Sequence, residues 1–323
     1  MTTESTPQRL ARTINMGLDL GAPLERGWTI EVSHEQLDAC ARHGFTAVRV
    51  LTCLAEHRAP AGLDPLLLRR VETVLDDASE LGLAVILANH LDPALMDDPG
   101  PHLAATLASV GHLAAALAGR GPDVVVEPLA EPRGALDEIW NKTAGELIAT
   151  VRTHDADRPI MIGPRTLNNA RFLPELELPA AEQNLVVAVH HYWPITFTMQ
   201  GETWLGTTPF GHPTDWLGTI WDGTPTQQAE LRTGFDALAA WSQATGRPVC
   251  VAEFGSTVHA DPASRVRWTR FNRHLAEERG MFWGIWSFAP TFAVYDQEAG
   301  RFDPDLLAAL MDSEGSTSRA SED

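Results

Sequence analysis

Short apolar runs alternate with longer helical patterns along the whole chain. Eight runs rich in Val, Ile, Leu or aromatics fall at 13–19, 46–51, 84–89, 123–130, 159–163, 185–191, 248–253 and 281–287. Most lack polar alternation, which is how strands covered on both faces read. The segments between them place Leu, Ala and Val at three- and four-residue spacing, giving one apolar face each.

Helix starts are signposted. In SHEQLDACARHG, Ser33 and Gln36 form the capping-box pattern and Gly44 marks the stop. Asp64 and Pro65 open the next helix, and Gly82 closes it. The same Asp-Pro start recurs at Asp261-Pro262 and Asp303-Pro304. Eight strands alternating with helices predict an α/β chain folded as one (β/α)8 TIM barrel over 1–312, followed by a disordered polar tail at 313–323. An open doubly wound sheet is the alternative. NMGLDLGAPLERG lacks the glycine spacing of a dinucleotide site. The Gly-, Thr-, Pro- and Trp-rich stretch 195–224 is long enough to be a functional or lid-like loop.

Composition narrows the chemistry. A net charge of -19 argues against nucleic-acid or anionic-membrane partners. No apolar run is long enough to span a membrane, and the N-terminus lacks a signal-peptide core. Cys40, Cys53 and Cys250 are too scattered for a disulfide framework or a zinc site, so a reducing cytoplasm is expected. No His and carboxylate spacing supports a metal, and no cofactor is expected.

Active sites of such barrels lie at the C-terminal strand ends. The polar residues expected there are Glu25 with Trp28, Arg49, Asn89 and His90, Glu131, His190 to Tyr192, Glu253 and Trp286. Two glutamates facing each other across a barrel mouth are what glycoside hydrolysis requires. Aromatics supply flat apolar surface for a sugar ring, and Trp28, Trp193, Trp204, Trp216 and Trp221 all fall in expected loops. Arg49 also reads as a structural ion-pair partner, and His191 faces opposite His190 and reads as packing.

These segments, in this order, resemble glycoside hydrolase family 5, the cellulase-like retaining β-glycosidases. NMGLDLGAPLE is similar to that family's first strand and GFTAVRV to its second, implying an active-site arginine at Arg49. LAEP falls where the family has Asn-Glu-Pro, implying Glu131 as acid/base. RPIMIGPRTLNNARFLPEL looks like its fifth strand and loop, and VHHYWPITFTMQGETW like its His-x-Tyr strand, implying His190 and Tyr192. VCVAEFG implies Glu253 as nucleophile, and GIWSFAPTFAVYD implies Trp286 beneath the sugar. Two departures stand out. Ala130 replaces the amide that holds the sugar 2-hydroxyl in the family, and Leu91 follows His90 where a second histidine is usual. Asn89 is assigned to the vacated space.

Glu131 needs a proton in the free enzyme, so a raised pKa is expected. Arg49 and the Tyr192 hydroxyl are expected against Glu253, and His90 and His190 against the sugar or Glu131. The resemblance implies a retaining β-glycosidase; with no signal peptide and no cellulose-binding module in view, an intracellular enzyme acting on a small β-glucoside or oligosaccharide is expected. Two other readings stand beside it: a barrel redeployed for acid/base chemistry on a non-sugar, such as a cyclisation or elimination, and a non-catalytic carbohydrate-binding barrel.

Overall fold

The computed structural model describes residues 9–16, 32–90, 92–288 and 290–312. Eight parallel strands close on themselves in chain order: β1 (Arg12–Asn15), β2 (Ala47–Thr52), β3 (Ala84–Asn89), β4 (Val124–Glu127), β5 (Ile160–Ile162), β6 (Leu185–His191), β7 (Val249–Phe254) and β8 (Phe282–Ile285). Long helices follow every strand but one: α1 (His34–Arg42), α2 (Pro65–Glu80), α3 (Pro99–Ala116), α4 (Trp140–His154), α5 (Pro225–Thr245), α6 (Pro262–Glu278) and α7 (Pro304–Met311). The β5–β6 connection instead carries two short helical turns, Arg165–Asn168 and Ala170–Glu175.

The caps work as the sequence indicates. Ser33 and Gln36 exchange both hydrogen bonds of a capping box at α1. Asp64, Asp261 and Asp303 each accept backbone N–H groups at the starts of α2, α6 and α7, with proline next in the chain. Each cap satisfies donors that the helix itself cannot.

Small and branched residues fill the barrel axis: Ala47, Ala84, Ile86, Val125, Met161, Val186, Ala188 and Cys250. The alternate residues of the same strands, such as Val48, Leu87, Val126, Val187 and Val251, join the larger cluster beneath the helices. That double burial is why the strands read as continuous apolar runs. At the closed end, the Arg158 guanidinium donates to the carbonyls of Leu117, Arg120, Gly121 and Val124, 2.9 Å each, tying the turn between α3 and β4.

Two expectations change here. Strand pairing of β4 stops at Glu127 rather than reaching residue 130. Pro128 has no N–H to donate, and Glu131 itself takes a left-handed backbone (φ 53). The 195–224 segment, expected as one long loop, carries three short helical turns, Ile195–Thr198, Thr203–Leu205 and Pro213–Trp216. The buried Gln200 donates to the carbonyls of Phe197 and Thr219 and accepts from the N–H of Gly218, while Trp216 and Trp221 are buried.

Candidate active site

A polar layer lies across the top of the barrel. Arg49 points inward from β2 and is fully buried. Its Nε donates to Glu127 (2.7 Å), and its Nη1 donates to Glu253 (2.7 Å) and to the Asn15 side-chain oxygen (2.8 Å). Burial disfavours the charged guanidinium, but Glu127 and Glu253 outweigh it and raise its pKa.

Glu253 reaches the axis through an irregularity in β7. Simple alternation from the inward Cys250 and Ala252 would turn residue 253 outward. Both neighbouring strands record a register shift there: Val189 pairs with Val251 but His190 pairs with Glu253, and Trp283 pairs with Val251 but Ile285 with Phe254. A bulge of this kind re-aims the next side chain. The carbonyl of Ala252 accepts from the Asn15 side-chain amide at 2.9 Å. Gly284 leaves room for it, since a Cβ there would sit 2.4 Å from that oxygen.

Tyr192 donates its hydroxyl to the second Glu253 oxygen at 2.8 Å. Burial, with Glu253 alongside, pushes the phenol well above its ordinary pKa, so it remains a donor. Glu131 sits across the mouth, its two oxygens taken by His190 Nδ1 (2.9 Å) and His90 Nε2 (3.0 Å). The same His190 nitrogen is 3.5 Å from Glu253. Carboxyl oxygens of Glu131 and Glu253 therefore lie within 4.8 Å of each other and of that nitrogen. The spacing suits a retaining pair, where the carboxyls stand about 5–5.5 Å apart, better than an inverting pair at about 6.5–9.5 Å.

The expected electrostatics of Glu131 are reversed. Burial pushes the carboxyl up, but the hydrogen bonds from His190 and His90 outweigh burial and hold it well below the usual range. His190 moves the other way: burial opposes its charge, while Glu253 and Glu131 raise it.

The Asn89 side chain is buried and tied to the backbone. Its oxygen accepts from the Leu54 N–H and its amide donates to the Pro128 carbonyl, both at 3.1 Å, so both ends are spent on backbone. His191 faces away from the axis, stacked on Trp268 with ring centres 6.0 Å apart, and burial lowers its pKa to about 4. Trp286 is half-buried against the Met199, Trp216 and Phe292 cluster beside Tyr192. Of the loop tryptophans, Trp193 and Trp204 are exposed (45% and 68%). Glu25 and Trp28 lie outside the described residues.

Sequence reasoning missed Glu127, Asn15 and Asn168. Glu127 ends an apolar run, and a charged residue completing a buried strand was the available signal. Ala130 is fully enclosed, and its N–H donates to the Asn89 carbonyl. Glu131, His190 and Glu253 have the donor types and spacing to hold a cation, but the Arg49 cation already occupies Glu253, so we read the cluster as proton-handling. An open groove of about 610 Å³ lined by Asp137, Trp140, Arg165 and Phe172 includes no member of the cluster.

Known proteins share this arrangement of strands and helices. Thermotoga maritima Cel5A, solved with cellobiose, superposes with a TM-score of 0.90 at 32% identity, covering 95% of this chain and 99% of its own. The cellulose synthase subunit Z of Clostridioides difficile superposes with a TM-score of 0.87 at 28% identity, covering 93% of this chain and 99% of its own. Endoglucanase H of Acetivibrio thermocellus is 26% identical over 94% of this chain, which spans only 33% of that protein's length. Endoglucanase B of Ruminococcus albus is 24% identical over 79% of this chain and 68% of its own. The family model described as cellulase (glycosyl hydrolase family 5) matches residues 17–291. That match runs from just past β1 to just past β8, and on it the chain belongs to glycosyl hydrolase family 5.

Proposed function

We propose that this barrel hydrolyses β-glycosidic bonds with retention, using Glu253 as nucleophile and Glu131 as acid and then base. The observation that carries this reading is the pair of donors on Glu253. Arg49 and Tyr192 hold one oxygen each, which fixes the carboxylate beside Glu131.

In the first step a Glu253 oxygen attacks the anomeric carbon while the bond to the leaving oxygen breaks and Glu131 supplies that oxygen's proton. In the second, water attacks the same carbon, Glu131 takes its proton, and Glu253 is released. His90, partly exposed beside Glu131, is assigned to a substrate hydroxyl, whereas Arg49, closed off from solvent, is assigned to holding Glu253. Trp286 and the exposed Trp193, edge-on to Phe210 with ring centres 5.8 Å apart, offer apolar faces for sugar rings. Glu25 and Trp28 are assigned to the same cleft by sequence alone.

The substrate we assign is a short β-linked glucoside or oligosaccharide. Both curated relatives described above carry the name endoglucanase, and Cel5A structures include complexes with cellobiose and mannotriose. Cys40, Cys53 and Cys250 are buried and form no disulfide among the described residues, which suits a reducing, cytoplasmic setting. Burial pushes the Cys250 thiol to about 12, so it stays protonated.

A direct test is to incubate the protein with cello- and manno-oligosaccharides and aryl β-glycosides. Release of reducing sugar, lost in Glu253→Gln, supports the reading; no release from any of them counts against it.

A further inference from the structure

Asn168 stands at the end of a left-handed run formed by Thr166 (φ 58), Leu167 (φ 66) and Asn168 (φ 53). Such backbone is costly for residues with a Cβ and is kept where the surroundings enforce it. Here the enforcement comes from the segment after Glu131. The Leu167 N–H donates to the Pro132 carbonyl (2.9 Å), and Asp137 accepts from both the N–H and the hydroxyl of Thr166. The Asn168 side chain is fully buried over Gly163, where a Cβ would lie 2.5 Å from the amide oxygen.

The orientation of the amide follows from its partners. The Glu131 N–H can only donate, so the atom 3.3 Å from it is the Asn168 oxygen. The amide nitrogen then faces His190 Nε2 at 3.3 Å and a Glu127 oxygen at 3.5 Å. An NH2 group directed at Nε2 requires that nitrogen to accept. The ring proton is therefore on Nδ1, which donates to Glu131.

We propose that Asn168 is a positioning residue that holds His190 as the neutral Nδ1–H tautomer and so limits how far that ring stabilises the Glu131 carboxylate against taking up the proton it must deliver. This rests on the acid role given to Glu131 above. The imidazoles already favour the Glu131 carboxylate, and a doubly protonated His190 would hold it in that form more strongly still. The groups facing the ring pull both ways. Burial and Arg49 from β2 oppose a second ring proton, while Glu253 from β7 and Glu131 from the β4 loop favour one and on balance raise the ring's pKa. Tyr192 acts through Glu253, His90 through the other Glu131 oxygen, and Glu127 through Asn168 itself. The Asn168 amide is the counterweight at Nε2, where a second proton would meet a donor.

The variant Asn168→Asp puts an acceptor where the NH2 stands and retains the oxygen that serves the Glu131 N–H. Nitrogen-15 NMR of the imidazole rings at pH 7 is expected to show a bare Nε2 on His190 in the parent protein and protons on both nitrogens in the variant. A doubly protonated His190 in the parent overturns the proposal, whatever the protein hydrolyses, so this result is separable from failure of the glycosidase reading. Kinetics give the second readout. kcat/KM for an oligosaccharide, whose leaving group needs a proton, is expected to fall about 100-fold, in the range of general acid catalysis. For a dinitrophenyl glycoside, which needs none, it is expected to change less than about threefold. Equal losses on both substrates mean a merely structural role and overturn the proposal. Asn168→Ala, tested alongside, is expected to show the same split in milder form.

Discussion

Arg49 Nη1 lies 2.7 Å from Glu253 Oε1, and the pair is shut off from solvent: 0% of the Arg49 side chain is exposed and 5% of the Glu253 side chain. The same guanidinium binds Glu127 through Nε. One cation thus fixes two carboxylates, of which only Glu253 also reaches Tyr192 and His190. Replacing Arg49 by Lys keeps the charge but removes the planar fork that meets both acids. kcat is expected to fall by about 10²-fold or more, as for misplaced reacting groups, with circular dichroism showing retained fold.

Glu127→Ala leaves the Arg49 charge half-compensated in the barrel interior. Removing one partner of a buried pair costs roughly 3–5 kcal/mol. Urea titration should show a loss of that order, whereas Glu127→Gln, which keeps an acceptor, should lose less.

Glu131→Gln removes the transferable proton. Hydrolysis of oligosaccharides is expected to drop by about 10²–10⁴-fold, while kcat/KM for a dinitrophenyl glycoside stays near that of the parent. Comparing the two substrates in steady-state assays separates loss of the acid from loss of binding.

His191 supplies a pH prediction for stability. Half-buried between Phe235 and Trp268, with its Nε2 enclosed, it has a folded pKa of about 4, against about 6.5 in an unfolded chain. Below pH 6.5 the unfolded chain binds a proton that the folded one refuses, so stability falls until the pH reaches about 4. The difference between parent and His191→Phe isolates this effect. Across pH 7 to 4, the parent is expected to lose roughly 3 kcal/mol more than the variant in chemical denaturation.

Much of the frame was legible in the sequence because each local signal had one physical meaning. Continuous apolar runs need two covered faces, and Ser33, Asp64, Asp261 and Asp303 announce helix starts that the structure contains. Motif order also brought Arg49, His190, Tyr192 and Glu253 to one layer. What escaped was decided by non-local geometry. Period-two alternation does not foresee the bulge that turns Glu253 inward, nor the carbonyl that Asn15 satisfies across the barrel. Glu127 looked like part of an apolar strand and proved to be the partner of Arg49. Asn89 looked free for a ligand, but its amide binds the backbone on both sides. Burial and a neighbouring carboxylate suggested a raised Glu131 pKa, yet two imidazoles at hydrogen-bond distance decide the opposite sign.

The central claim is that Glu253 forms a covalent bond to the sugar. The most direct measurement is mass spectrometry of the protein treated with a dinitrophenyl 2-deoxy-2-fluoro-β-glycoside of an accepted sugar, followed by peptide mapping. The account requires one added glycosyl unit on the peptide carrying Glu253, absent in Glu253→Gln. Turnover of the parent glycoside with inversion at the anomeric carbon, or a label on Glu131 instead, would contradict it.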